Sequence, residues 1–387
     1  MATELRVGVA GLGSVAAQIL PSFRDLPDVR LAGAADIRPE AREHFTKTYD
    51  RPAYATVEAM CQAKDIDVVW IATPNPVHCE HVIAAARSGK HAICEKPMAV
   101  TLDQCDQMIE AAKANGVRLL QGHSKIFDAP IKAMRQVITS GRIGRVIQVN
   151  TWNFNDWLQR PRLASEVDTR LGGGLVYRQG PHMVDIVRYV AGGMAKSVRG
   201  VAGRYDPHFD TEGNFSALIE FEDGAAATLG LNGYGHFDVT ELTWGIGEGG
   251  QQHPDPRTKK RKARRTGPMQ AEEKYRYAAG AAQGEVYQRG ERMPFYGLTV
   301  VSGDRGAIRQ SPDGLYLYTD TGCEELPVQR HAGRAAELIE LRDALASGRP
   351  VFPDGTWGRA TLEVCLGILD SSRQHREILL SRQVPSA

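Results

Sequence analysis

The chain has 387 residues, enough for two domains with separate cores. Hydrophobic residues at 42% and charged residues at 24% are ordinary for a soluble globular protein. A formal net charge of +1 advertises no polyanionic partner, and no apolar run approaches the roughly 18 residues needed to span a bilayer.

The first residues run straight into a strand pattern, which predicts no signal peptide. Residues 5–10 (LRVGVA) form a short apolar run, followed by a helical stretch over 14–23. Residues 29–36 read as a second strand, and 39–49 as a helix with proline in its first turn. Further short strands are expected at 68–72, 91–94 and 117–121, with helices at 77–88 and 102–114. Apolar strands separated by helices predict a parallel sheet covered on both faces.

After Gly122 the texture changes. A helix at 130–140 leads to a strand at 146–152, a glycine-rich turn at 172–174 and a helix near 182–191. Extended runs follow at 197–204, 214–222, 225–231, 298–302, 307–310 and 315–318, several of them separated by Asp-Gly hairpin signals. This predicts an α+β domain with a mostly antiparallel sheet, and final helices at 333–347 and 358–377 that pack back on the body. The expected division is a Rossmann domain at 1–122 and a substrate domain at 123–387.

Six scattered cysteines have neither metal-site nor disulfide-framework spacing, so free thiols, no metal and a cytoplasmic location are expected. Residues 251–268 (QQHPDPRTKKRKARRTGP) are densely basic. They read as a solvated loop, an attractor of anionic substrate, or a nucleic-acid arm.

Gly11-Leu12-Gly13-Ser14-Val15-Ala16 follows the first strand and opens a helix. Gly11 suits a tight turn, Gly13 admits a pyrophosphate close to backbone, and Ala16 permits close helix–strand packing. Asp36 ends the second strand, placed to accept hydrogen bonds from ribose hydroxyls and to repel a 2′-phosphate. NAD is therefore expected over NADP, although Arg38 offers a guanidinium for that phosphate.

Thr73-Pro74-Asn75-Pro76-Val77-His78 and Glu95-Lys96-Pro97 fall at carboxyl ends of sheet strands, where an open α/β sheet binds its ligand. Pro97 disfavours helical backbone at Lys96, fixing where the ammonium leaves the strand. A lone Lys-Pro would be an ordinary surface lysine; here the surrounding motifs give it a site.

Gly11–Ala16, TPNPVH, GKHAICEKP, QGH (121–123), GRIGRVIQV and the C-terminal DGTWGRATLEVCLGILDSS together resemble the glucose–fructose oxidoreductase / inositol dehydrogenase family, Gfo/Idh/MocA. The resemblance runs over nearly the whole chain. It implies substrate binding and proton relay at Lys96, and a nicotinamide-side lining from Thr73, Pro74, Asn75, His78 and Glu95. It also implies a homodimer or homotetramer. The family's second motif, GGGxxxDxGxHxxD, reads here Gly172-Gly-Gly-Leu-Val-Tyr-Arg178-Gln-Gly-Pro-His182-Met-Val-Asp185. His182 is the expected base, its imidazole suited to proton transfer near neutral pH, with Lys96 as the alternative. Asp185 is expected to orient His182 or to reach the substrate.

Arg178 departs from the pattern, because sugar and cyclitol members usually carry aspartate there. A guanidinium accepts no hydrogen bond but grips carboxylate in a fork. Trp157, Arg160, Arg162 and Arg170 are candidates for the same pocket. Together with GYGHFD (233–238) and WGIGEGGQ (244–251), this resembles the branch that oxidises phthalate cis-4,5-dihydrodiol. Rival readings are a sugar, sugar-acid or cyclitol dehydrogenase, and a non-enzymatic cofactor-sensing or nucleic-acid-binding protein.

Overall fold

The computed structural model describes residues 4–258, 265–269, 290–329 and 333–386. Lys259, Lys260, Arg261 and Lys262 of the basic stretch lie outside the described residues. Two compact units divide the chain. The first takes residues up to His123 and the segment ending at Arg359. The second takes Ser124–Met269, the described residues from 290 to 329, and Ala360 onward.

The first unit builds a parallel sheet from β1 (Leu5–Ala10), β2 (Val29–Ala35), β3 (Ala53–Tyr54), β4 (Val68–Ile71), β5 (His91–Glu95) and β6 (Leu119–Gly122). Its order, β3-β2-β1-β4-β5-β6, reverses direction between β1 and β4. That crevice is where doubly wound sheets bind dinucleotides. Every residue of β4 is buried, as a sheet covered on both faces requires. The helices are α1 (Ala16–Ile19), α2 (Pro39–Tyr49), α3 (Val57–Cys61), α4 (His78–Arg87) and α5 (Leu102–Ala114). Thr101 and Gln104 close a reciprocal capping box at the start of α5, satisfying two otherwise orphaned donors.

Two expectations are corrected here. The helix expected over 14–23 stops at Ile19 and tightens into a 3-10 turn, Leu20–Asp25. Pro21 lacks an N–H and cannot continue the α-helical ladder. The domain boundary also changes, because residues 333–359 belong to the first unit rather than to a continuous second domain. Leu338, Leu341 and Ala344 of the helix Ala335–Ser347 are fully buried in one cluster with Val7, Trp70 and Ile93. Burial of that apolar stripe, not chain order, assigns the segment.

The second unit contains α6 (Ala129–Thr139), β7 (Val146–Phe154), α7 (Gly174–Arg178), α8 (Gly180–Ala191), β8 (Ala195–Gly203), β9 (Asn214–Phe221) and β10 (Ala226–Asn232). It continues with β11 (Leu298–Gly303), β12 (Ala307–Ser311), β13 (Gly314–Thr319) and β14 (Gly322–Pro327). After the first-unit helix Ala335–Ser347, here α9, come α10 (Gly355–Gln374) and β15 (Ile378–Leu379). The strands form one sheet, β14-β13-β12-β11-β7-β10-β9-β8-β15, antiparallel except for the β7–β10 pair. Along β9, Phe215, Ala217, Ile219 and Phe221 point inward while Ser216, Leu218 and Glu220 are exposed. One face is therefore buried, against Met183, Val184 and Val187 of α8. No helix among the described residues is long and apolar enough to cross a membrane.

Candidate active site

In the first unit, the turn after β1 is shaped by backbone alone. Gly11 has φ +90°, and a Cβ there would sit 2.8 Å from the Ala72 carbonyl oxygen, so only glycine fits. At Gly13 an added Cβ would meet no heavy atom within 4 Å. Ser14 is exposed and Val15 half-buried, while Ala16 is buried. The open space over Gly13 and the acid that follows β2 suit a dinucleotide.

That acid is already engaged. Asp36 accepts hydrogen bonds from the Leu12 N–H (2.8 Å) and the Arg38 N–H (2.9 Å). The Arg38 side chain adds a fork at 2.9 Å from both Nε and Nη2. Burial works against the Asp36 charge, but the Arg38 and backbone hydrogen bonds outweigh it and hold the carboxyl below its usual range. Ribose hydroxyls must therefore exchange with Arg38 for the same oxygens. With Asp36 present, a 2′-phosphate meets like charge, and NAD should exceed NADP in kcat/KM by roughly tenfold or more. Asp36→Ala should remove most of that preference by freeing Arg38. Kinetics with both cofactors on one substrate check this, and a wild-type NADP preference would show that Arg38 sets the choice.

The strand-end loops after β4 and β5 are joined by a histidine. His78 is buried, with Nε2 2.8 Å from the Thr73 carbonyl oxygen and Nδ1 2.9 Å from that of Pro97. Burial pushes this imidazole below its usual range, against the pull of the two carbonyls. His78 thus clasps the two loops, its neutral ring donating to one of the two carbonyl oxygens at a time. The Thr73 hydroxyl lies 2.9 Å from His81 Nδ1, Asn75 is buried, and Pro74 enters the turn with extended backbone.

Lys96 directly follows β5 and is half-buried. Its neighbour Glu95 is buried and engaged by other side chains. The Glu95 carboxylate pairs with Arg334 and accepts from Trp70 Nε1 at 3.2 Å. Arg334 also pairs with the fully buried Glu337 at 3.0 Å and lies 5.6 Å from the Trp70 ring centroid. Glu95 is thus part of the foundation beneath Lys96. Cys94 is a buried free thiol that burial raises well above its usual pKa. Among the described residues, no group of three or more His, Cys, Asp or Glu side chains is placed to hold a metal ion.

In the second unit, the glycine-rich turn lets α7 and α8 start close against the neighbouring chain. Gly174 has φ +84°, and a Cβ there would fall 2.5 Å from Glu212 Oε1, the same oxygen that accepts from the Val176 N–H. His182 lies in the first turn of α8, buried, with its ring centroid 4.9 Å from that of Tyr296. The Tyr296 hydroxyl reaches Gln179 at both the backbone oxygen (3.0 Å) and Oε1 (2.8 Å). Lys125 is also buried, 3.3 Å from Glu248 and 5.6 Å from the Tyr296 ring centroid. Tyr296, Glu248 and Lys125 were not singled out from sequence, although Glu248 lies within WGIGEGGQ and Lys125 just after QGH, because no spacing shows that these segments meet around His182. Asp185 is fully buried one turn beyond His182, in the field of Arg188, and suits packing rather than substrate contact.

Around Trp157 the structure gathers three guanidinium groups. Arg160 pairs with Asp156 at 2.7 Å, and Arg178 with Glu166 at 3.1 Å. The Arg162 guanidinium lies 4.5 Å from the Trp157 ring centroid, with Nε donating to the Trp157 carbonyl at 3.3 Å. Burial, then the nearby Arg178, lowers the Arg162 pKa to about 9. Trp157 is itself buried, so it serves as a platform under Arg162. The Arg170 side chain is 85% exposed and pairs with Asp168 at 2.7 Å, as a surface ion pair.

Residues 5–123 match the model of an oxidoreductase family with an NAD-binding Rossmann fold, and residues 131–243 match the GFO/IDH/MocA C-terminal domain. The chain belongs to the Gfo/Idh/MocA family. It is an NAD-dependent oxidoreductase of that family, with the two-part architecture expected from sequence. Among its relatives is 1-carboxy-3-chloro-3,4-dihydroxycyclohexa-1,5-diene dehydrogenase of Comamonas testosteroni, 33% identical over 378 residues and 95% of each chain. Myo-inositol 2-dehydrogenase of Thermotoga maritima is 29% identical over 49% of this chain and 55% of its own. A crystal structure from Bordetella bronchiseptica RB50, named as a dehydrogenase, superposes at TM-score 0.89 with 36% identity, covering 97% of this chain and 100% of that one.

Proposed function

We propose that this Gfo/Idh/MocA enzyme oxidises a cyclic cis-dihydrodiol bearing a carboxylate to the corresponding catechol carboxylate, of the kind phthalate cis-4,5-dihydrodiol would give. The observation that carries the reading is Arg162 on the Trp157 ring with Arg178 and Arg160 close enough to act on its charge. Its chemistry suits a carboxylate rather than a neutral polyol. The carboxylated diene substrate in the name of the Comamonas relative supports the same class. Bound NAD supplies the hydride acceptor, C4 of its nicotinamide.

His182, or Lys96 in the alternative assignment, takes the proton of the hydroxyl whose carbon loses hydride. The resulting ring ketone shifts the hydrogen of its neighbouring carbinol carbon to oxygen and becomes a catechol. Gain of aromaticity drives the step, and one proton and one NADH leave for each catechol formed. The Glu95–Arg334–Trp70 foundation and the His78 clasp hold the two loops from which Lys96 and Thr73 project. We further propose a cytoplasmic homo-oligomer whose partner is this small carboxylated substrate, not nucleic acid.

The test is a panel of carboxylated cis-dihydrodiols with one and two carboxylates, an uncharged cis-dihydrodiol, inositol and hexoses, scored by NADH absorbance. The carboxylated diols should give the highest kcat/KM. Efficient oxidation of inositol or a hexose, with none of any carboxylated diol, would overturn the reading and leave the family alone.

A further inference from the structure

We propose that Arg162, braced on the Trp157 ring, is the group that receives the substrate carboxylate, and that Arg178 is held back from it by Glu166. This rests on the proposed carboxylated substrate and specifies which arginine reads it. The motif position points to Arg178, but the contacts separate the three guanidinium groups. Arg160 and Arg178 each have a carboxylate, Asp156 at 2.7 Å and Glu166 at 3.1 Å. Glu166 is itself fixed, because its other oxygen accepts from the Leu163 N–H at 2.8 Å. Arg162 forms no ion pair among the described residues; its recorded contacts are the Trp157 ring and carbonyl.

A desolvated guanidinium without a counter-ion is costly, and an incoming anion relieves that cost. Arg178 and Arg160 work against the Arg162 charge and Glu166 and Asp156 favour it, but burial and Arg178 outweigh the carboxylates, so an anion arriving at this residue is stabilised. The guanidinium carbon lies 4.5 Å from the indole centroid, and Nε already donates to backbone. The Nη edge therefore remains for a two-pronged contact with a carboxylate, at little further loss of side-chain freedom. The ligand chemistry is a planar carboxylate on a six-membered ring, the part of the substrate remote from the carbon that loses hydride.

The experiment measures binding of 3,4-dihydroxybenzoate and of catechol to the full-length enzyme with NADH present, by calorimetry. Wild type, Arg162→Met, Arg162→Lys and Arg178→Met are compared. Methionine keeps an apolar stem over Trp157 and removes the charge. Arg162→Met should weaken 3,4-dihydroxybenzoate by roughly 30-fold or more and leave catechol within about twofold. Arg162→Lys should recover part of the loss, and Arg178→Met should cost less than Arg162→Met. If Arg178→Met takes the larger loss, or Arg162→Met binds both ligands like wild type, the inference fails while the carboxylated substrate stands. Equal loss of both ligands in Arg162→Met and Arg162→Lys marks a structural role and also overturns it. Wild type that binds catechol as tightly as the carboxylate removes the underlying substrate reading instead.

Discussion

Lys96→Ala should lower turnover by about 10²-fold or more, the low end for losing a general acid–base group, while NAD affinity changes little. The lysine leaves the carboxyl end of β5, next to the clasp that His78 makes between Thr73 and Pro97. Its half-buried position on a rigid base suits a group that holds a hydroxyl proton. The neighbouring Glu95 is committed to Arg334 and Trp70 and cannot replace it. Single-turnover kinetics and NAD titration separate chemistry from cofactor binding, and an unchanged melting midpoint excludes a folding defect. Normal turnover would remove Lys96 from the mechanism.

The second large effect concerns stability. Arg334→Met should destabilise the protein by about 3–5 kcal/mol, because it removes a buried cation that two buried carboxylates contact. The Glu95 and Glu337 side chains are 6% and 0% exposed, and Arg334 is the cation that both contact. Adding Glu95→Gln and Glu337→Gln to Arg334→Met should recover part of the loss by removing the two carboxylate charges. Urea unfolding of wild type and of both variants measures this. A single-variant loss below about 1 kcal/mol would place the pair among weakly contributing surface bridges.

Much of the first unit was legible because its signals are local. Apolar runs, helical periods and the glycine turn lie within a few residues of one another, and their alternation marks a parallel sheet covered on both faces. The short edge strand Ala53–Tyr54 and the helix Val57–Cys61 carried too few residues to register a period. β14 (Gly322–Pro327) stayed unread because it lies largely exposed, with no alternation between faces. Partnerships were less legible than elements. Glu95 meets Arg334 across 239 positions of chain, and His182 meets Tyr296 from another strand region, so no spacing rule announces either contact. The arginines show the same limit. The dense run from Arg160 to Arg178 marked a basic pocket, but Arg170 found a surface aspartate while Arg162 found an indole. Chain spacing gives the charges, and only packing tells which of them lacks a counter-ion among the described residues.

The most direct test of the account is product analysis with NAD and a 1-carboxylated cis-dihydrodiol under anaerobic conditions. Chromatography should show the catechol carboxylate accumulating in equal amount to NADH, with the diol consumed in step. Failure to form any catechol from carboxylated diols, alongside stoichiometric NADH production from inositol or a hexose, would contradict it.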